Sequence, residues 1–389
     1  MPRIDSTPDL YFDANGSTPV HPRVLELCQA HLASVYGNPS ARHPEGLRAR
    51  RAIDAARSSI AHALGAASHE IWFTSGGTES NNWALLGCAE RSSRRHLIVS
   101  AVEHKSVLQS ARELERRGFE LELLPVDSSG SVHQRELERR LRPDTLLVSV
   151  MAANNETGVV QPVREIGALC RRRGVLFHTD AVAMLGKLPV DVRVLGCDLL
   201  SLSSHKLYAP KGCGVLYVRS GVPIAPLIHG CGQQDGLRGG TENALPIVGL
   251  ARALELLERG ELCSARELAR HRDDLWLRLS ARFPRCRRNG AGSFLPNTLN
   301  VCFPGADASL LQARLGERGI SVAVGAAAGG GAPSHVLAAM GMTAEEARAS
   351  LRFSLGRGID AASLRTLIDA LEAVLPEGYS AAEVVGGRR

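Results

Sequence analysis

The chain has 389 residues, 44% hydrophobic and 22% charged, which suits a globular protein of about two to three domains that needs no metal or disulfide staple. No run of about 18 apolar residues occurs and the start, 1–9, is polar, so neither a membrane span nor a signal peptide is expected and the chain reads as cytoplasmic. The net charge is +6, but the arginines interleave with glutamates and aromatics are only 4%, so no nucleic-acid partner is expected.

From residue 71 the chain alternates short apolar runs with helical periodicity. Strands are predicted over 71–74, 96–100, 119–124, 145–150, 175–179, 198–203 and 214–218. Helices are predicted over 79–90, 104–117, 133–141 and 163–173. This alternation implies βαβ units and a mostly parallel sheet, its Val/Leu/Ile strands covered on both faces. After about 257 the rhythm changes. A long Arg/Glu/Leu helix (261–283), a strand (298–303), a helix (308–318), a Gly/Ala-rich loop (325–333) and a final helix (361–374) read as a second, smaller α+β domain. The end, 381–389, reads as frayed.

Nine cysteines are present. None forms C-x-x-C or stands at zinc-ligand spacing from a histidine, so no metal site is expected and buried reduced thiols are. Only four lysines occur, Lys105, Lys187, Lys206 and Lys211, and the other 42 basic residues are arginines. Any chemistry that needs a lysine amine has four candidates.

Three features carry chemistry. Ser75-Gly76-Gly77-Thr78-Glu79-Ser80 joins a predicted strand to a predicted helix, where free N–H groups and the positive dipole end suit a phosphate; it also suits an ordinary cap. Asp180 follows the strand 175–179, where ligands collect in open α/β sheets. It reads as a helix cap or as the partner of a protonated heterocyclic nitrogen. Ser203-Ser204-His205-Lys206 ends another strand, and a lysine desolvated there is a Schiff-base candidate. A phosphate turn, a strand-end Asp and a strand-end Lys are the components of a pyridoxal phosphate (PLP) site.

The sequence resembles the cysteine desulfurases, with the related selenocysteine lyases, within the class V aminotransferases of PLP fold type I. The matches run through nearly the whole chain. They include Asp13-Ala14-Asn15-Gly16, Gly37-Asn38-Pro39-Ser40, Phe73 to Asn82, Val102-Glu103-His104, Asn154-Asn155-Glu156-Thr157-Gly158 and His178-Thr179-Asp180-Ala181. Further matches are Ser203-Ser204-His205-Lys206, Gly239-Gly240-Thr241-Glu242-Asn243, Leu295-Pro296-Asn297-Thr298 and Leu351-Arg352-Phe353-Ser354.

The resemblance implies a large PLP-binding domain (13–257) built on a mostly parallel seven-stranded sheet flanked by helices. It implies a small domain (1–12 and 258–389) that carries a catalytic loop, about 321–333, and the substrate-carboxylate arginine. Lys206 would bond PLP as a Schiff base, and Asp180 would pair with the ring nitrogen. His104 would stack on the ring and shuttle a proton, and Asn155 would sit near the ring 3-oxygen and the substrate. Gly77, Thr78, Ser203 and His205 would hold the phosphate, with Thr241 reaching across from a second subunit of a homodimer. Arg352, beside an apolar strand pattern, would clamp the substrate carboxylate, and Asn38 would line the substrate side.

Two departures from the family pattern stand out. The loop Gly325-Ala326-Ala327-Ala328-Gly329-Gly330-Gly331-Ala332-Pro333 has no thiol, although the family's catalytic cysteine belongs at Ala328 or, if the loop is aligned from its proline, Ala326. In Asp180-Ala181-Val182-Ala183, Ala183 replaces the usual glutamine and cannot donate to the ring 3-oxygen. Two readings follow. One is a C–S lyase that acts on cysteine, cystine or a cysteine S-conjugate by β-elimination. The other is a cysteine desulfurase, with a sulfur-acceptor partner, whose nucleophile has been replaced by alanine. A different class V reaction, transamination or epimerisation, is a third possibility. Cys231 interrupts a glycine run before Thr241 and reads as a buried inert thiol or a substitute sulfur acceptor.

Overall fold

The computed structural model describes residues 10–325, 333–376 and 379. The chain opens with a short strand, β1 (Leu10–Tyr11), followed by α1 (Pro22–Ser34) and α2 (Pro44–Leu64). Next come β2 (Ile71–Thr74), α3 (Gly77–Glu90), β3 (His96–Ser100), α4 (Lys105–Arg116), β4 (Glu120–Leu124), α5 (Gln134–Arg140) and β5 (Thr145–Ser149). They are followed by α6 (Val163–Arg173), β6 (Leu176–Asp180), α7 (Val192–Leu195), β7 (Leu199–Ser203), β8 (Gly214–Val218) and α8 (Ala244–Glu258). The remainder comprises α9 (Ala265–Arg282), β9 (Arg287–Arg288), β10 (Thr298–Cys302), α10 (Ala308–Gly316), β11 (Ile320–Ser321) and β12 (Ala323–Val324). It ends with α11 (His335–Ala339), α12 (Ala344–Arg348), β13 (Ser350–Ser354) and α13 (Ala361–Val374).

Seven strands form the central sheet in the order β2-β8-β7-β6-β5-β3-β4. Every residue of β3, β5, β7 and β8 is buried, as expected when helices cover both faces. The sheet is mixed, because β8 runs antiparallel to both β7 and β2. The reason is chain length. The connection 204–213 is shorter than the dozen or so residues that a parallel crossover needs.

A second core gathers Phe12, Leu275, Phe283, Leu299, Val301, Leu351, Phe353 and Leu371. It covers an antiparallel four-stranded sheet of order β12-β13-β10-β9, while β1 pairs in parallel with β11. Most predicted elements stand within one to three residues of their observed bounds, and 96–100, 163–173, 214–218 and 361–374 coincide with them. The long predicted helix starts later, at Ala265, because the Ser264 hydroxyl accepts from Glu267 N at 3.3 Å and caps it. Six helices had no sequence counterpart: the short α7, α11 and α12, and the longer α1, α2 and α8. Helices α1 and α2 both pack against α8. No helix among the described residues is long and apolar enough to cross a membrane.

Candidate cofactor and substrate site

The carboxyl ends of β6 and β7 and the amino end of α3 converge on a cavity of about 150 Å³. Gly77, Thr78, His104, Asn155, Asp180, Ala183, Ser203, His205 and Lys206 line it, together with Asn15, Asn81, Met151 and Val182. The lysine follows β7 directly, in a turn over Ser204–Lys206. Its Nζ donates to the carbonyls of Asn15 at 2.5 Å and Gly16 at 2.6 Å. Burial first, then the nearby Arg352 guanidinium, lowers its pKa from 10.5 to about 8, so a substantial neutral fraction exists near neutrality.

Asp180 is 5% exposed and its carboxylate is held on both oxygens. Oδ1 accepts from Val182 N at 2.9 Å and Oδ2 accepts from Asn81 Nδ2 at 2.7 Å. The same amide reaches Ser106 Oγ at 2.9 Å, and Ser106 Oγ lies 2.7 Å from His104 Nδ1. A polar chain therefore links the cavity histidine to the strand-end carboxylate. His104 is also the N-cap of α4, which fixes its backbone where β3 hands over to the helix. Behind Asp180 on the same strand, His178 is bracketed by Ser149 Oγ at 2.8 Å and Ser201 Oγ at 3.0 Å. Burial lowers its pKa to about 3, so it stays neutral.

The amino end of α3 has no side-chain cap, which leaves first-turn N–H groups pointing out at the positive end of the dipole. A Cβ on Gly77 would come within 2.8 Å of Val182 Cγ2, so the turn passes close only because that residue has no side chain. His205 holds Ser17 Oγ at 3.1 Å, and burial, reinforced by the charge of Lys206, lowers its pKa to about 4. A neutral histidine, two hydroxyls and open amides suit a phosphate, and the amine and carboxylate suit the rest of PLP. The residues present therefore fit that cofactor.

A second cavity of about 360 Å³ adjoins the first and shares Asn15, His104, Asn155 and Lys206 with it. Arg352 lies here, at the middle of β13. Its Nη2 meets Asp13 Oδ1 at 2.5 Å and its Nη1 donates to the Asn155 carbonyl at 3.1 Å. Its Nε is buried without a partner. Glu103 also lines this cavity. Burial, with the charge of Asp180 nearby, pushes its carboxyl well above the usual range.

Two expected residues stand elsewhere. Asn38, expected on the substrate side, faces neither cavity; it follows α1, where its Oδ1 accepts from Ser40 N at 2.9 Å. It lines a separate hollow together with Thr241, Tyr36 and Leu32, so within one chain Thr241 does not reach the Lys206 cavity either. The position of Ala328 lies outside the described residues. Asn15, Asn81 and Asp13 received no roles from the sequence. Asn15 and Asp13 depend on contacts more than a hundred residues away, which local spacing does not reveal. Asn81 could have been found, because it follows Thr78 by one helical turn on α3.

The class-V aminotransferase family matches residues 10–367. The chain belongs to that family. It is 44% identical to the cysteine desulfurase IscS of Methanosarcina thermophila over 353 residues, 90% of this chain and 87% of the relative. It is 41% identical to that of Dictyoglomus turgidum, over 94% of each. Among solved structures, a NifS-like protein superposes with a TM-score of 0.87 at 39% identity, covering 94% of this chain and 99% of that one. SspA in complex with cysteine gives 0.80 at 39%, covering 89% and 99%. Membership in this family makes the chain a PLP-dependent enzyme.

Proposed function

We propose that this enzyme cleaves the C–S bond of cysteine or a cysteine S-conjugate by β-elimination, releasing sulfide or a thiol. The observation that carries this reading is the position of the thiols. All nine cysteines lie within the described residues, none lines either cavity, and residues 326–332 contain none. Within one chain, a sulfur atom expelled at the site meets no protein thiol.

When bound, PLP supplies an electron sink for the substrate Cα. Lys206 would hold the cofactor, and its Nζ would be the group that carries the Cα proton. Asp180, oriented by Asn81 and Val182 N, holds the proton of the ring nitrogen. Thr78, Ser203, His205 and the α3 amides take the phosphate. His104 would cover the ring face and Asn155 would lie toward its 3-oxygen, where the Ala183 side chain has no hydrogen-bond donor. Arg352 takes the substrate carboxylate in place of Asp13, using its planar fork. Lys206 Nζ would take the Cα proton, and the Cβ–S electron pair would leave on sulfur. Water then converts the three-carbon enamine to pyruvate and ammonia. A homodimer completes each phosphate site with the neighbour's Thr241. The division 13–257 against 1–12 and 258–389 is supported by the apolar core that gathers Phe12 with residues from 268 onward.

Purified enzyme incubated with cysteine tests this. Pyruvate and sulfide in equal amounts, without alanine, are expected. Stoichiometric alanine would overturn it and direct attention to Cys231, which is exposed. The cysteine desulfurase relatives favour a second reading, a cysteine desulfurase whose nucleophile has been replaced at residue 328. In that case cysteine binds and neither alanine nor pyruvate accumulates.

A further inference from the structure

Strand β2 is an edge of the central sheet, and an edge strand leaves backbone groups unpaired. At Phe73 a side chain fills that gap. Gln234 Oε1 accepts from Phe73 N at 2.7 Å and Gln234 Nε2 donates to Phe73 O at 2.8 Å. The amide thus stands in for one residue of a further strand. Gln234 and Asp235 hold φ values of 46° and 54°, a region that non-glycine residues adopt only when their surroundings enforce it.

Four residues later, Arg238 grips Glu79 through two bonds, Nε to Oε1 at 2.9 Å and Nη2 to Oε2 at 3.1 Å. Glu79 Oε2 also accepts from Ser75 N at 2.8 Å. The two attachments land on either side of the phosphate turn, at Phe73 before it and at Glu79 after it. Three residues beyond Arg238 stands Thr241, exposed and facing away from its own chain's cavity.

We propose that Gln234 and Arg238 are positioning residues that fasten the loop 230–241 to the phosphate turn of their own chain and so present Thr241 to the cofactor pocket of a second copy. This rests on the reading above in which Thr241 completes the neighbouring site. It adds that the geometry of one phosphate turn governs how completely the neighbour's phosphate is held.

Hybrid dimers with a single Lys206 test the direction of the effect, with PLP itself as the probe, titrated by its visible absorbance. In the first arrangement one chain carries both Lys206→Ala and Gln234→Ala, so the functional pocket depends on the altered loop; PLP binding should weaken roughly tenfold. In the second, Lys206→Ala and Gln234→Ala sit on opposite chains, so the functional pocket receives a native loop; binding should stay within about twofold of native. Arg238→Lys, which keeps the charge but loses the fork, should give the same asymmetry if Gln234→Ala fails to fold. Native affinity in both arrangements, weakening in both, or weakening only in the second would overturn the proposal while leaving the dimer intact. A monomer by light scattering would overturn the dimer reading itself and the proposal with it.

Discussion

The two sheets deliver functional groups in different ways. In the central sheet they leave at strand carboxyl ends: Asp180 closes β6, and Lys206 follows β7 by one turn. Parallel strands bury both faces, so a polar residue emerges mainly where a strand stops. In the small antiparallel sheet Arg352 sits at the centre of β13, paired in register with Asn300 on one side and Ala323 on the other. One face of β13, Leu351 and Phe353, enters the small core, while Ser350, Arg352 and Ser354 are buried against polar partners. On the proposed reading, the first arrangement would fix the cofactor and the second the substrate. Substitutions in the two sheets should therefore affect different kinetic constants.

The largest effect belongs to Lys206. Lys206→Ala should lower kcat by roughly a hundredfold to ten-thousandfold. Borohydride trapping followed by peptide mapping should place the label on Lys206; a label on Lys105, Lys187 or Lys211 would break the assignment. Lys187 is the instructive control. It is also buried, with a pKa lowered by burial to about 8, yet its amine donates to the Lys206 carbonyl at 2.7 Å and lines neither cavity.

Arg352→Lys should act next, raising KM roughly ten- to a hundredfold with a smaller change in kcat, because a point charge replaces a fork. An unchanged KM would remove Arg352 from the substrate site. Thr241→Ala should weaken PLP binding roughly tenfold through the loss of one hydrogen bond to a charged group. Equilibrium dialysis of the apoprotein against PLP measures it.

The smallest effect is a pH dependence. The folded pKa of Lys206 is about 8 against an ordinary 10.5. The reactive neutral fraction of the apoprotein should therefore rise about tenfold per pH unit up to near 8 and then level off. PLP recombination rates that keep rising toward pH 10 would show a solvated amine instead. The depressed pKa also carries a stability sign. The native state binds fewer protons than the unfolded chain, so the apoprotein loses stability as pH falls from 10.5 toward 8 through this group.

Much of the central sheet was legible because its strands are uninterrupted apolar runs and its functional residues stand at their ends. The small sheet was less so. Ser350–Ser354 alternates polar and apolar residues like a half-exposed strand, yet all five are buried, because the polar face meets hydrogen-bonding partners rather than water. Helix α2 is rich in charge, and α1 buries only Val24 and Cys28, so neither pattern gives clear warning of a helix. Asn15 and Asp13 escaped for a related reason. Their partners, Lys206, Thr298 and Arg352, are distant in sequence, and only the folded chain brings them together. Asn38 was expected on the substrate side and Thr241 in a second subunit's site, and a single chain places the two together, apart from its own cavity.

The central claim, that sulfur leaves because no thiol receives it, is tested most directly by installing Ala328→Cys and measuring the three-carbon product from cysteine. A natural lyase should continue to release pyruvate at an essentially unchanged rate. Alanine production with a persulfide on residue 328 would contradict that claim and identify a cysteine desulfurase that lacks its nucleophile.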